Sequence, residues 1–320
     1  MSSSPSPSPS LLARTHTLLW ALADPWLFMA ISASWLPSTI LTLLRNRELA
    51  ILLSPSKLQG VWFGRFWGWA GPNIKLSREP MVISLLEGRT CGGRVVEEPT
   101  GNGIEGVVVE IGAGSGFWVD VFKERDLGKG EGKASSIDGQ AVAGTGAGVV
   151  KRTSGVRGLV TRIYGVEPNR EQHPSLRQKI SEAGLEDVYE IVPVGIEDLD
   201  NPSKWDGKVE KGSVDCIVSI LCLCSIPEPQ KNFKELYGYL KKGGRWYVFE
   251  HVRAEGNWGI RIFQAFTNLF WPHFLGGCQL CRPTEKWLRE AGPWDKVDVG
   301  QPPGEQWHHC VPHILGVFTK

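Results

Sequence analysis

The stretch VVVEIGAGSG, residues 107–116, sets Glu110, Gly112, Gly114 and Gly116 at alternate positions behind an apolar run. Such a run closing in glycines is a buried strand that ends in a sharp turn, with a helix expected to follow. Glycine is needed there because the backbone must reverse and approach a ligand at the strand's carboxyl end. In IYGVEPN (163–169), Glu167 closes a second apolar strand, followed by Pro168 and Asn169. A carboxylate in that place can accept hydrogen bonds from both hydroxyls of an adenosine ribose. In VGIEDL (194–199), after a third strand, Ile196 can cover an adenine face, and Glu197 or Asp198 can accept from its exocyclic amine.

A dinucleotide fingerprint reads G-x-G-x-x-G, and Phe117 stands where its third glycine would be. The observed E-x-G-x-G-x-G instead matches the S-adenosylmethionine variant, whose turn lies beneath the methionine part of the cofactor and whose acidic residue helps hold the loop. The expected cofactor-binding residues are therefore Glu110, Gly112, Ala113, Gly114, Gly116, Glu167, Pro168, Asn169, Ile196, Glu197 and Leu221. Cys224 and Ser225, after the fourth strand, are expected to line the methyl-transfer pocket, with Cys224 as an apolar wall. His251 and His313 are the candidates to deprotonate or orient an acceptor. Cys278 and Cys281 have metal-ligand spacing and Cys222-x-Cys224 lies upstream. The second pair is wrongly spaced and both sit in apolar runs, so no metal is expected. Seven scattered cysteines read as free thiols in a reducing compartment.

Stepwise alternation of elements must position these groups. Short β-rich runs fall at 107–111, 162–166, 189–194, 214–220 and 245–252, with helical runs such as 174–183 and 229–240 between them. That order implies a parallel sheet with helices on both faces. Two last strands, 294–299 and 313–319, have no helical pattern between them and should form an antiparallel edge hairpin. LKKGG (240–244) reads as a helix end leading into the fifth strand. Glu167 lies 51 residues beyond Gly116, where about 20 is usual. Between 123 and 159 there are nine glycines and no hydrophobic period, an insertion (124–158) whose removal restores the interval.

The N-terminal third has a different character. SSSPSPSPS opens a tail (1–17) expected to be disordered. Residues 25–44 contain no charge, and twenty residues at about 1.5 Å each span about 30 Å, one hydrocarbon thickness. A membrane anchor over 18–44 is expected, with Pro37 allowing either a kinked span or a hairpin in one leaflet. Arg45 and Arg47 favour the cytosolic side for the chain beyond them. The aromatic, basic stretch 58–72, inside a pre-domain region of 45–105, suits an interfacial helix or one packed over the mouth of the domain, which itself covers 106–320. With 35 Lys+Arg against 34 Asp+Glu, electrostatics offer no argument for a nucleic-acid partner.

From about residue 107 to the end, the chain resembles the methyltransferase-like protein 7 family. The resemblance rests on the 112–116 loop, GSVD (212–215) leading into VSILCLCSI (218–226), LKKGG (240–244), FEHV (249–252), GCQLCR (277–282) with Trp287, Trp307, and PHILG (312–316). It implies a Rossmann-like class I methyltransferase: α/β, with a seven-stranded, mostly parallel sheet. It further implies a membrane-associated enzyme that methylates small alkyl thiols, placed at the endoplasmic reticulum or lipid droplets with its domain facing the cytosol. Departures are the Gly-rich insertion, one extra residue near Ile196, and Cys281 where the family usually has Thr. An aromatic segment between Glu255 and Arg282, with Trp258, Phe263, Phe266, Phe270, Trp271 and Phe274, points to a lipophilic acceptor. Competing readings are an O- or N-methyltransferase of a secondary metabolite, an NAD-binding reductase on the same architecture, and a non-catalytic membrane scaffold.

Overall fold

The computed structural model describes residues 11–123, 160–306 and 308–320, with side chains from residue 15 onward. The serine–proline repeat, the Gly-rich insertion and Trp307 lie outside the described residues.

Seven strands form the sheet: β1 (Gly106–Ile111), β2 (Val160–Val166), β3 (Tyr189–Val192), β4 (Val214–Ile220), β5 (Leu240–His251), β6 (Lys296–Gly300) and β7 (His313–Thr319). Their spatial order is β3-β2-β1-β4-β5-β7-β6. The first five are parallel, and β7 inserts antiparallel between β5 and β6. The carboxyl ends of all five parallel strands therefore meet along one edge, where the order reverses between β1 and β4. That is the place where open α/β sheets bind ligands.

Both faces of the sheet are buried, so its strands are almost continuously apolar. Successive residues alternate between two cores. Val109, Ile217, Trp246 and Val248 face α6 (Pro229–Tyr239) and α9 (Thr284–Arg289) through Phe233, Leu236 and Leu288. Val108, Val218, Tyr247 and Phe249 face α5 (His173–Ala183) and the end of α4 (Pro55–Leu86) through Leu176, Ile180, Val82 and Leu85.

Two local expectations are corrected. LKKGG is strand, not helix end: Gly243 N donates to Lys320 O and Lys320 N to Gly244 O, so the terminal residue extends the pairing of β5. The glycine loop leads, among the described residues, only into a 3-10 turn over Val119–Phe122.

Helices α1 (Leu11–Ser34), α2 (Leu36–Arg45) and α3 (Leu49–Leu52) precede α4. Thr15–Arg45 is long and apolar enough to cross a membrane. One face of it packs on the protein. Met29, Phe28 and Trp35 join Phe66 and Ala70 of α4 and Trp271 of α8 (Trp271–Phe274), while Ser32 Oγ donates to Phe274 O at 2.7 Å and Trp62 Nε1 donates to Ser32 O at 2.7 Å. The 58–72 stretch thus lies within α4, burying Trp62, Phe66 and Ala70. Other side chains, including Leu19, Trp20, Leu27, Leu41 and Leu44, are exposed.

Candidate active site

The glycine loop follows β1 directly. Gly112 and Gly114 have φ of +69° and +54°, a region open to glycine at little cost. A Cβ on Gly112 would also sit 2.6 Å from Cys222 Cβ, so this glycine lets the loops after β1 and β4 touch. Gly112 N and Ala113 N donate to Val166 O at 3.1 and 3.2 Å, tying the loop to the end of β2. Gly116 faces α5 beside Leu176 and Lys179.

Glu167 holds the turn. Its carboxylate accepts from Gly114 N at 2.8 Å and from Asn169 N at 2.7 Å. Burial pushes its pKa up, and those two N–H donors oppose the shift. The role of loop holder expected of Glu110 thus belongs to Glu167. Glu110 instead accepts a hydrogen bond from Tyr189 of β3, whose side chain crosses β2 over Gly165. A Cβ on Gly165 would run into the Tyr189 hydroxyl. Burial raises Glu110 to about 7, against the hydrogen bond from Tyr189, with Glu167 and Asp120 adding to the rise.

Of the other expected cofactor residues, Pro168 is exposed, and Asn169 Oδ1 caps the next turn by accepting from Glu171 N at 3.1 Å. Ile196 is buried and Glu197 exposed on a 3-10 turn at the end of β3. Leu221 has φ of +54° and donates its N–H to Phe249 O at 2.8 Å.

The turn after β4 is clamped from two sides. Glu250, fully buried on β5, accepts from Cys222 N and Leu223 N, both at 3.1 Å. Burial, with Cys224 nearby, raises it to about 8, against the pull of those two N–H groups. From the other side, Arg282 Nη1 donates to Leu223 O at 2.8 Å and Ile226 O at 2.6 Å, and Gln279 N donates to Cys224 O at 3.1 Å. Neither Glu250 nor Arg282 was singled out by sequence reasoning, although both lie in the FEHV and GCQLCR motifs.

His251 and Cys224 meet Cys278 at this edge. His251 Nε2 is 3.0 Å from Cys278 Sγ, and Trp271 Nε1 donates to the same sulfur at 3.1 Å. Cys224 Sγ lies 3.5 Å from Ser225 Oγ. Despite burial, the neighbouring Cys278 thiol and then His251 pull the Cys224 pKa well below the usual thiol range. Cys224 is thus part of a polar cluster, not the expected apolar wall. His251 Nδ1 is buried with no hydrogen-bond partner among the described residues. His313 pairs with His251 in the β5–β7 register but turns to Glu305, with Nδ1–Oε1 at 2.6 Å, and stacks on Phe249. Of the aromatic segment, Trp271 reaches the cluster, whereas Trp258 is 78% exposed.

Residues 97–292 match the family described as "Methyltransferase domain". The chain belongs to that family. Among curated proteins, it is 36% identical over 110 residues to thiol S-methyltransferase TMT1B of Homo sapiens, covering 34% of this chain and 45% of that protein. It is 32% identical over 114 residues to thiol S-methyltransferase TMT1A of Homo sapiens, covering 35% and 46%. It is also 27% identical over 93 residues to phosphatidylethanolamine N-methyltransferase of Cereibacter sphaeroides, covering 29% and 42%. The matches span less than half the length of these relatives.

Proposed function

We propose that this protein transfers a methyl group from S-adenosylmethionine to a small lipophilic thiol, acting at a membrane surface. The observation that carries the reading is the match to the methyltransferase-domain family across the sheet that holds the glycine loop and Glu167. The residues fit the cofactor: a turn in which a Cβ at Gly114 would meet only Gly112 O, at 3.8 Å, and a buried carboxylate at the end of β2.

S-adenosylmethionine supplies an already activated methyl on a sulfonium, so positioning carries most of the catalysis. Glu167 sets the loop under the cofactor, Glu197 and Ile196 lie toward the adenine, and Glu250 and Arg282 fix the turn that carries Cys224. His251 orients the acceptor. A thiol, with an ordinary pKa of about 8.5, needs little help to ionise. The names of the two human relatives support sulfur as the acceptor atom; the N-methyltransferase relative supports an amine as the second reading.

Thr15–Arg45 and the exposed Trp258, Ile262 and Phe266 of α7 (Trp258–Thr267) support a membrane-facing side; Trp26 touches Phe266, so the two surfaces adjoin. The packing of α1 against α4 and α8 favours a helix lying along the bilayer over one standing clear of the domain. The proposed site is the cytosolic face of the endoplasmic reticulum or of lipid droplets. Calorimetry with S-adenosylhomocysteine tests the cofactor reading: binding is expected, and binding of NAD in its place would overturn it. Flotation with liposomes tests the membrane reading, and a full-length chain that stays at the bottom of the gradient would overturn it.

A further inference from the structure

Three ligand-type side chains from separate segments converge at the carboxyl ends of β4 and β5. One donor atom each of Cys224, His251 and Cys278 lies within 4.8 Å of the other two. Cys224 and His251 are buried, and Cys278 is half-buried. A tetrahedral zinc, with Zn–S of about 2.3 Å and Zn–N of about 2.0 Å, holds such atoms about 3.5–3.8 Å apart. Side-chain shifts of about 1 Å would therefore close this triangle on a metal.

The surroundings suit thiolate ligands. Trp271 Nε1 donates to Cys278 Sγ at 3.1 Å, and Ser225 Oγ lies 3.5 Å from Cys224 Sγ, outer hydrogen bonds of the kind that orient metal ligands. The Arg282 guanidinium, held on Leu223 O and Ile226 O, offsets negative charge on the two sulfurs. The sequence-adjacent cysteine is not part of the group: Cys281 lines a surface groove with Arg253 and Trp258.

We propose that Cys224, His251 and Cys278 form a Cys2His site for zinc whose fourth position takes the acceptor sulfur as a thiolate. This rests on the thiol-methyltransferase reading. Three protein ligands with one open position is the catalytic form of a zinc site, and two sulfurs with an imidazole suit zinc. A thiol that binds there gives its proton to solvent. Its sulfur lone pair then forms the new S–CH3 bond as the methyl–sulfonium bond breaks, and that bond's electron pair stays on the departing thioether. Zinc keeps its oxidation state throughout. His251 Nδ1 becomes an N–H donor, free for an ordered water or a polar group of the acceptor.

The test uses the full chain in detergent, stripped of metal, reduced, and titrated with cobalt(II) or cadmium(II). Each sample is also checked for S-adenosylhomocysteine binding, which shows that it is folded. One ion per chain with a thiolate charge-transfer band is expected. The band should vanish in Cys224→Ser, Cys278→Ser and His251→Ala and persist in Cys281→Ser. Trp271→Phe should weaken metal affinity about 10- to 100-fold. A wild type that binds S-adenosylhomocysteine but shows no thiolate–metal band overturns the proposal. So does a band that survives Cys224→Ser and Cys278→Ser, with the metal held elsewhere, as at Glu305, His309 and His313. Metal bound without any S-adenosylhomocysteine binding would instead overturn the methyltransferase reading, and the acceptor role of the metal with it.

Discussion

Replacing Glu110 by Gln should stabilise the protein at alkaline pH and leave it nearly unchanged at acidic pH. Glu110 is buried in the sheet with a hydroxyl donor, Tyr189, and no cation beside it among the described residues, and its pKa rises from 4.5 to about 7. Between those values the folded chain keeps a proton that the unfolded chain releases. The folded state then binds more protons, so stability falls as pH rises through this window and levels off above it. The full cost is about 3 kcal/mol, most of which accrues between pH 5 and pH 8. Gln keeps a carbonyl that accepts from Tyr189 and never ionises, so it mimics the protonated acid. Urea unfolding of wild type and Glu110→Gln across that range isolates this group, because other titrations cancel in the difference. A difference that stays flat within about 0.5 kcal/mol, or a variant that loses stability relative to wild type as pH rises, would refute the argument.

Other expectations rest on the same geometry. Glu167→Gln removes the charge that holds Gly114 N–H; at about 1.5–3 kcal/mol for a hydrogen bond to a charged group, S-adenosylhomocysteine affinity should fall roughly 10- to 150-fold by calorimetry. Gly165→Ala should destabilise by about 1–3 kcal/mol, since its Cβ meets the Tyr189 hydroxyl, and a double variant with Tyr189→Phe should recover part of the loss in thermal unfolding. Arg282→Met removes two carbonyl contacts from the turn after β4; steady-state kinetics should show kcat/KM for the acceptor falling at least about tenfold, with cofactor affinity within about threefold.

The sheet edge with the glycine loop and Glu167 was readable because its signals are local. Glycines at 112 and 114 are demanded by backbone conformation, and Glu167 follows its strand at once, so a strand–turn pattern reveals both. The succession of strands, and with it a mostly parallel sheet, emerged from alternation, apart from the start of β5, where pairing with the chain terminus overrode the helix-end look of LKKGG. GSVD and LKKGG proved to act at the opposite end of the sheet. Asp215 accepts from Val107 N at 2.8 Å and pairs with Lys241 at 2.9 Å, so these residues support the strands and not the site. The cluster of Cys224, His251 and Cys278 was illegible for a physical reason. Cys224 and Cys278 are 54 residues apart and meet only because GCQLCR folds back over the turn after β4. Their nearer sequence partners, Cys222 and Cys281, lead away from each other: Cys222 donates to Glu250 Oε1 at 3.4 Å, and Cys281 lines the outer groove. Spacing along the chain therefore gave no sign of the cluster.

Methyl transfer to sulfur is the proposed reaction. Its most direct test is a rate measurement with methyl-labelled S-adenosylmethionine and three acceptors sharing one alkyl chain: a thiol, an alcohol and an amine, with the product identified by mass spectrometry. A labelled thioether should form from the thiol much faster than any product from the other two, and more slowly in the Glu167→Gln variant. Labelled amine or ether as the main product, or turnover undiminished by Glu167→Gln, would contradict it.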